Sequence, residues 1–288
     1  LGDLDDLRAL ADYSIDRHYP DIATADDRYL GLLQSVIDRQ AKLIAEWMLV
    51  GFIHGVMNTD NVTISGETID YGPCAFMDGV DPLTVFSSID EGGRYAFGRQ
   101  PAIAQWNLTR FAETLLPLIA DNPEDAIAPA TELLETFPET FSRYWHDGLA
   151  HRLGLSTHVD GDDVLANDLM QLLQERRLDL ISTMRSLSAH LRGDDIGLDD
   201  WTTRWESRLQ LENATSEELI QRLDAINPIY VPRNHLVEEA LAQAVAGDLD
   251  PFMQMLARVT HPYERVAGAD RFAEPGDPAP GYRTYCGT

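Results

Sequence analysis

Asn61 and Asp70 are the residues of this chain whose types and spacing are best suited to chemistry. They flank Val62-Thr63-Ile64-Ser65-Gly66-Glu67-Thr68-Ile69, the only clearly β-like stretch. Ser65-Gly66 reads as a two-residue turn. That turn pairs Ile64 with Glu67, Thr63 with Thr68 and Val62 with Ile69, and sets Asn61 opposite Asp70 at the open end of a hairpin. Directly opposed residues lie about 4.5–5.5 Å apart with their side chains on one face. An amide oxygen and a carboxylate converging there make a half-site for Mg²⁺ or Mn²⁺. Such a hard ion binds oxygen and keeps waters or substrate phosphates as its remaining ligands.

The order His54, Asp60, Asn61, hairpin, Asp70-Tyr71-Gly72 follows the logic of kinase-type phosphoryl transfer. There a catalytic-loop Asn and the Asp of an Asp-Phe-Gly turn hold the metals, and a catalytic-loop Asp serves the nucleophile. The kinase Asp sits two residues after the His. Here that position is Val56 and the acid is Asp60, beside Asn61. A shifted acid implies either a pseudokinase or a different transfer geometry. Taken singly, Asp-Tyr-Gly-Pro is a turn, Asp-Asn a loop or cap, and His54 a structural hydrogen-bonding residue. Around one hairpin they read together as a metal site.

The elements that must position this loop are mostly helical. Helices are predicted over 4–19 and over 26–50, the second with Asp26 as N-cap and one apolar face of Leu30, Leu33, Ile37, Leu43, Ile44, Trp47 and Met48. A Gly-, Asp- and Pro-rich loop runs from the hairpin to about Arg99. Pro101, Pro123 and Pro138 then open helices reaching 119, 136 and 153. Further helices are predicted over 163–191, 199–211, 216–226, 236–246 and 251–259, and the chain from Ala267 reads as extended. The fold class is mainly α (α+β), a helical body carrying one β-hairpin.

With 48 acidic against 22 basic side chains the net charge is −26, and no Lys/Arg run occurs, which argues against nucleic acid or anionic lipid as a partner. No apolar run approaches the roughly 20 residues of a membrane span. The acidic start is unlike a signal peptide, and two distant cysteines cannot staple a secreted scaffold, so the expected location is cytoplasmic. Lys42, the only lysine, is spaced as a solvated helical residue, whereas the phosphate lysine of kinases sits on a strand. Arg94 could bind phosphate, but bracing its loop against an acidic neighbour is the favoured reading. His146 and His151, five apart, do not make a helical zinc pair. Asp160-Gly161-Asp162-Asp163 lacks EF-hand spacing and reads as a helix-capping loop.

The segment His54-Gly55-Val56-Met57-Asn58-Thr59-Asp60-Asn61, followed by Thr68-Ile69-Asp70-Tyr71-Gly72-Pro73, closely resembles the selenoprotein O family of protein adenylyltransferases. Gly93-Arg94-Tyr95-Ala96-Phe97, leading through Gln100-Pro101, Ala104 and Trp106 to Asn107-Leu108, resembles the family too. So do Asn227-Pro228, Tyr230, Arg233-Asn234 and the near-terminal Cys286, where some members carry selenocysteine. The resemblance runs from about Leu7 to Thr288. It implies a protein-kinase-like fold and the transfer of AMP from ATP to Ser, Thr or Tyr hydroxyls of proteins. The nucleotide would lie reversed, with its α-phosphorus facing the nucleophile. Carried over residue by residue, Asp60 is the catalytic base, and Asn61 and Asp70 are the metal ligands, Asp70 also serving the nucleotide site.

Family members carry an N-terminal portion with glycine-rich and Lys/Arg nucleotide-binding segments, and residues 1–50 contain no glycine-rich loop. With Leu1 in place of Met, the chain is expected to be a processed or truncated C-terminal catalytic lobe (1–266) with a tail (267–288). It would lack the N-lobe and be incomplete for activity. Two alternatives stand beside this reading. One is a kinase-like phosphotransferase, which Val56 argues against. The other is a non-catalytic helical fragment that binds partners, which the absent lysine and glycine loop favour. The family's redox use of its terminal residue suggests a Cys74–Cys286 disulfide, against two free thiols.

Overall fold

The computed structural model describes residues 3–276 and 282–285. Helix α1 (Leu4–His18) begins where Asp3 accepts a hydrogen bond from Asp5 N (2.9 Å). It carries Asp5 and Asp6 in its first turn and Arg17 and His18 in its last, matching the helix dipole at both ends. Helix α2 (Arg28–Leu49) has 22 residues, a length of about 33 Å. Leu33, Ile37 and Ile44 of its predicted stripe are fully buried. Its N-cap position falls at Asp27 rather than Asp26, with no side-chain capping bond. Arg28 Nε and the Tyr29 hydroxyl, bonded to Asp12 of α1 at 3.0 and 2.9 Å, hold that first turn instead.

Two strands follow, β1 (Phe52–Ile53) and β2 (Ala75–Phe76), paired antiparallel with Phe52 opposite Phe76 and Ile53 opposite Ala75. This corrects the predicted hairpin, since residues 62–69 keep only an isolated bridge between Val62 and Thr68. The small sheet stands at a seam. Successive strand residues face opposite ways, so Ile53 and Ala75 enter one apolar core while Phe52 and Phe76 pack into the other. The second core is built on α1 and α2 together with α3 (Gln100–Ile119), α4 (Pro123–Glu135) and the start of α5 (Phe137–Arg152). The three predicted proline-led helices are thus present within a residue or two.

The first core joins the end of α5 to α6 (Asp162–Arg176), α7 (Leu180–His190), α8 (Asp199–Leu209) and α9 (Ser216–Ile226), with Trp205 wholly enclosed and stacked on Trp201 at 5.8 Å. Sequence periodicity predicts α6 and α7 as one helix. The chain instead breaks at Arg177 (φ 50°), because Asp179 is recruited elsewhere. Its carboxylate caps Ser182 N (2.7 Å) and also binds Arg233 Nη1 and Nη2 (2.7 and 2.9 Å). Helices α10 (Asn234–Val245) and α11 (Asp250–Val259) pack on each other. Asp162, at the start of α6, is buried and bonded to Arg208 Nε (2.6 Å), so the Asp160–Asp163 turn is a helix start tied into the core.

Within the stretch predicted as extended, Asp270–Phe272 forms a 3₁₀ turn and Ala269 packs against Ile229 and Tyr230. Thr284 bridges Ser87 and donates its hydroxyl to Pro73 O (2.6 Å). No helix among the described residues is long and apolar enough to cross a membrane.

Candidate active site

The loop His54–Asn61 leaves β1 and must turn at once to stay beside β2. Gly55 makes that possible: its φ is +84°, and a Cβ there would stand 2.7 Å from Pro73 O. Val56 and Met57 are buried. Met57 O accepts from Asn107 Nδ2 (3.0 Å), and Asn58 Oδ1 accepts from the Tyr95 hydroxyl (2.6 Å), so α3 and the segment before it hold the loop from below. Tyr95 is itself set by Asp90, whose carboxylate accepts from Arg94 N (2.7 Å) and Tyr95 N (2.8 Å). A single 3₁₀ turn, Thr59–Asn61, then presents Asp60 to solvent and Asn61 half-buried.

Residues 62–68 are held by α2. Arg39 Nη1 donates to Ser65 O (3.1 Å), Gln40 Nε2 to Thr63 O (2.6 Å) and Trp47 Nε1 to Thr68 Oγ1 (2.8 Å), and the Tyr19 hydroxyl donates to Ile64 O. The register differs from the predicted one by a residue. Val62 faces Thr68, not Ile69, because the Thr63 hydroxyl closes a five-residue loop by donating to Glu67 O (2.7 Å) and accepting from Glu67 N (2.9 Å). The turn runs from Thr63 to Gly66 (3.3 Å), not over Ser65-Gly66. Gly66 has φ +75°, and a Cβ there would meet Arg39 Cβ at 2.8 Å. A one-residue slip exchanges the faces of a strand, so the predicted cross-strand pairing of Asn61 with Asp70 is not what joins them.

A chain of hydrogen bonds through His54 joins them instead. Asn61 Nδ2 donates to Val56 O (3.1 Å), Val56 N donates to His54 Nδ1 (3.4 Å), and His54 Nε2 donates to Ile69 O (2.8 Å), the residue before Asp70. This pattern requires the neutral imidazole protonated on Nε2. Burial pushes the His54 pKa down, with the Ile69 carbonyl and the Asp70 charge only partly opposing it. The ring is fully buried against Trp47 (5.3 Å between centroids), and its backbone N–H is held by Gln100 Oε1 (3.1 Å) while Gln100 Nε2 holds Phe52 O (3.0 Å). His54 is therefore a brace, as its sequence context suggests, and not a base.

Asp70 is exposed and left-handed (φ 51°), a conformation Asp tolerates better than most residues. Its Oδ1 accepts a long bond from Gly72 N (3.4 Å). The Asn61 amide nitrogen is tied to Val56 O, which leaves the amide oxygen outside that bond. These are hard oxygen donors and suit Mg²⁺ or Mn²⁺. No group of three or more His, Cys, Asp or Glu able to hold a metal occurs among the described residues, so a metal at this pair would need ligands besides these side chains to fill its shell. Water and phosphate oxygens would complete it.

Other predicted residues fall as follows. Lys42 pairs with Glu46 on the exposed face of α2 (3.7 Å). Arg94 braces its loop through aromatic rings, its guanidinium lying 4.9 Å from the Trp106 centroid, and not through a carboxylate, since Asp90 takes its backbone N–H. Cys74 Sγ donates to Tyr71 O (3.1 Å), and burial pushes the thiol up to about 11. Cys286 lies outside the described residues. Asn234 Nδ2 donates to Phe76 O (2.9 Å), so the Arg233-Asn234 motif supports β2. Sequence reasoning placed Trp47 in an apolar stripe and Tyr95 and Gln100 in a resemblance, but missed the bonds that these three and Gln40 make to the loop. The available signal was Gln40, a polar residue set among the buried apolar positions of α2.

The family model described as "Protein adenylyltransferase SelO" matches residues 1–260 of this chain. The chain is 51% identical over 288 residues to "Protein nucleotidyltransferase YdiU" of Mycolicibacterium smegmatis, covering 98% of this chain and 58% of that protein. It is 49% identical to the protein of that name from Geobacillus kaustophilus and 48% identical to that from Cereibacter sphaeroides, covering in each case 100% of this chain and 61% of the relative. The chain thus spans about three-fifths of the length of these curated relatives.

Proposed function

Since the chain belongs to the protein adenylyltransferase SelO family, we propose that it carries the acceptor- and metal-facing half of an active site that moves AMP from ATP to a Ser, Thr or Tyr hydroxyl of a protein, on a protein-kinase-like framework. Asp60 is the base. It takes the hydroxyl proton as the acceptor oxygen bonds to the α-phosphorus and the bond to the bridging oxygen breaks, releasing pyrophosphate. Asn61 and Asp70 would hold Mg²⁺ or Mn²⁺, which would supply charge neutralisation for the triphosphate and the leaving pyrophosphate.

The observation that carries this reading is the hydrogen-bonded chain from Asn61 through Val56 and His54 to the carbonyl before Asp70. It ties the Asn61 amide, through the buried His54, to the carbonyl that precedes Asp70, which supports reading the two side chains as parts of one preorganised site. A specific observation disfavours the kinase alternative. Val56, in the place of a kinase's acid, is buried, and its backbone N–H and its carbonyl are both links in that chain. The exposed acid is Asp60, one residue from Asn61.

The test is incubation with ATP and Mn²⁺ or Mg²⁺, with label on the α- or the γ-phosphorus, beside Asp60→Asn and Asp70→Ala controls. Incorporation of α-label that both controls abolish supports the assignment. Incorporation from the γ-position refutes it in favour of a phosphotransferase. Failure of the folded chain to incorporate either label refutes sufficiency of this chain.

A further inference from the structure

Helices α10 and α11 pack on each other more than on any other element, and they leave a row of apolar side chains in solvent. Val237, Leu241 and Val245 recur every four residues along α10. Phe252, Leu256 and Val259 recur at four and three along α11, so each set lies on one face of its helix. The inner side of α10 carries the buried Leu236 and Ala240, while no residue of α11 is buried. Val245 is 92% exposed and Leu241 52%, and Phe252 and Leu256 are exposed too. Both stripes run back into one cavity of about 1040 Å³, which Val237 and Leu241 line from α10, Val259 from α11 and Phe52 from β1. Tyr71 and Gly72, the two residues after Asp70, line it as well. The α10 stripe is about 12 Å long, so apolar surface reaches from the turn that carries Asp70 to the far end of α10. A folded chain seldom leaves a continuous apolar surface of more than a few hundred Å² uncovered, and such a surface marks an interface.

Length points to what covers it. Relatives about 50% identical over nearly all of this chain carry two-fifths of their own length outside the match, on the order of 200 residues and enough for a domain. A second copy is a poorer occupant, because each chain carries a net charge of −26. We propose that the α10–α11 strip and the cavity behind it are the seat of that further portion of the family's polypeptide, which docks through apolar side chains. Seated there, it lies against Tyr71 and Gly72 and so confines the turn that carries Asp70. The seat rests on family membership and on the exposed strip, and not on the catalytic assignment.

The test compares this chain with the intact Mycolicibacterium smegmatis relative by hydroxyl-radical footprinting, which reads side-chain exposure, each rate being scaled to that of the same peptide in the unfolded protein. Leu241 and Val245 should react within about threefold of the unfolded rate in this chain, and the matching positions of the relative at least about tenfold more slowly than that. Photo-crosslinking then identifies the cover. Benzoylphenylalanine is placed in the relative at the positions matching Ala242 and Ala257, which are exposed at the edges of the two stripes, where substitution is tolerated. It should couple to peptides of the same chain that lie outside the matched stretch. Equal scaled rates in the two proteins overturn the seat. So does protection of this chain that grows with its concentration, which makes the cover a second copy. Crosslinks confined to the matched stretch, crosslinks to a second chain, or none from either position overturn it too. No readout here involves AMP transfer, so failure to incorporate α-label bears on the catalytic assignment alone.

Discussion

His54→Leu tests the brace most directly, because leucine keeps most of the buried bulk and removes both ring nitrogens. Ile69 O loses a 2.8 Å bond in a part-buried setting, and Val56 N loses a longer one at 3.4 Å. Leaving such groups unpaired costs about 1–3 kcal/mol for the first and about 1 kcal/mol for the second, so the variant should be about 2–4 kcal/mol less stable at pH 8. The pH dependence supplies a sharper check. Burial holds the folded His54 pKa below its unfolded value of about 6.5, so the unfolded state takes up a proton that the folded state refuses. This contribution to stability is intact above pH 6.5 and is lost as pH falls from there toward the folded pKa. At pH 5.5 the wild-type chain should have lost up to about 1.4 kcal/mol from this group, and the leucine variant none of it. Urea unfolding of both proteins at pH 8 and pH 5.5 should therefore show the stability difference shrinking on acidification. A difference that widens would mean that folded His54 is protonated, drawn by the charge of Asp70, and the neutral bridge would be wrong.

Three further outcomes are expected. Asn61→Ala and Asp70→Ala should each weaken Mn²⁺ binding, read by electron paramagnetic resonance, by about tenfold or more; the exposed Asp70 should leave the unfolding midpoint nearly unchanged, whereas the half-buried Asn61 should cost about 1 kcal/mol through its lost bond to Val56 O, and retained affinity in both would remove them as ligands. Val56→Asp, which restores an acid at the kinase position, should destabilise the fold by roughly 3 kcal/mol or more and bring no γ-phosphoryl transfer, since the site is buried; a stable variant would show that the position can open to solvent. Cys74, with its thiol raised to about 11 from 9.0, should react with iodoacetamide at pH 8 about a hundredfold more slowly in the folded than in the unfolded chain, and similar rates would contradict its burial.

Much of this was legible in the sequence. Proline-led helix starts and 3.6-residue periodicity located the helices well, and the order of His54, Asp60, Asn61 and Asp70 located the candidate site. What was not legible has physical causes. The strands β1 and β2 are two residues each, too short for an alternation to register. The hairpin register turned on the Thr63 hydroxyl, a side chain standing in for a ladder bond. The break at Arg177 came from Asp179 serving Arg233, a partner 54 residues away. The clamps Arg39, Gln40 and Trp47 sit on a helix whose stripe announces packing, and only the folded chain shows that they reach over to grip carbonyls and a hydroxyl of the 63–68 turn. Tyr95 and Gln100 were noticed as part of a resemblance, not for the bonds they make.

The support of β2 bears on when this site can exist during synthesis. Phe76 O finds its partner in Asn234, 158 residues downstream, and Asp78 finds Arg233 at a separation of 155. Contacts of such long range close late in folding. A ribosome would have to deliver residue 234 before β2 is pinned, so a nascent chain stopped short of it would hold Asp60, Asn61 and Asp70 on a loop with one loose edge. The geometry of the candidate site would then arrive with α10, whichever of the local turns had formed before it.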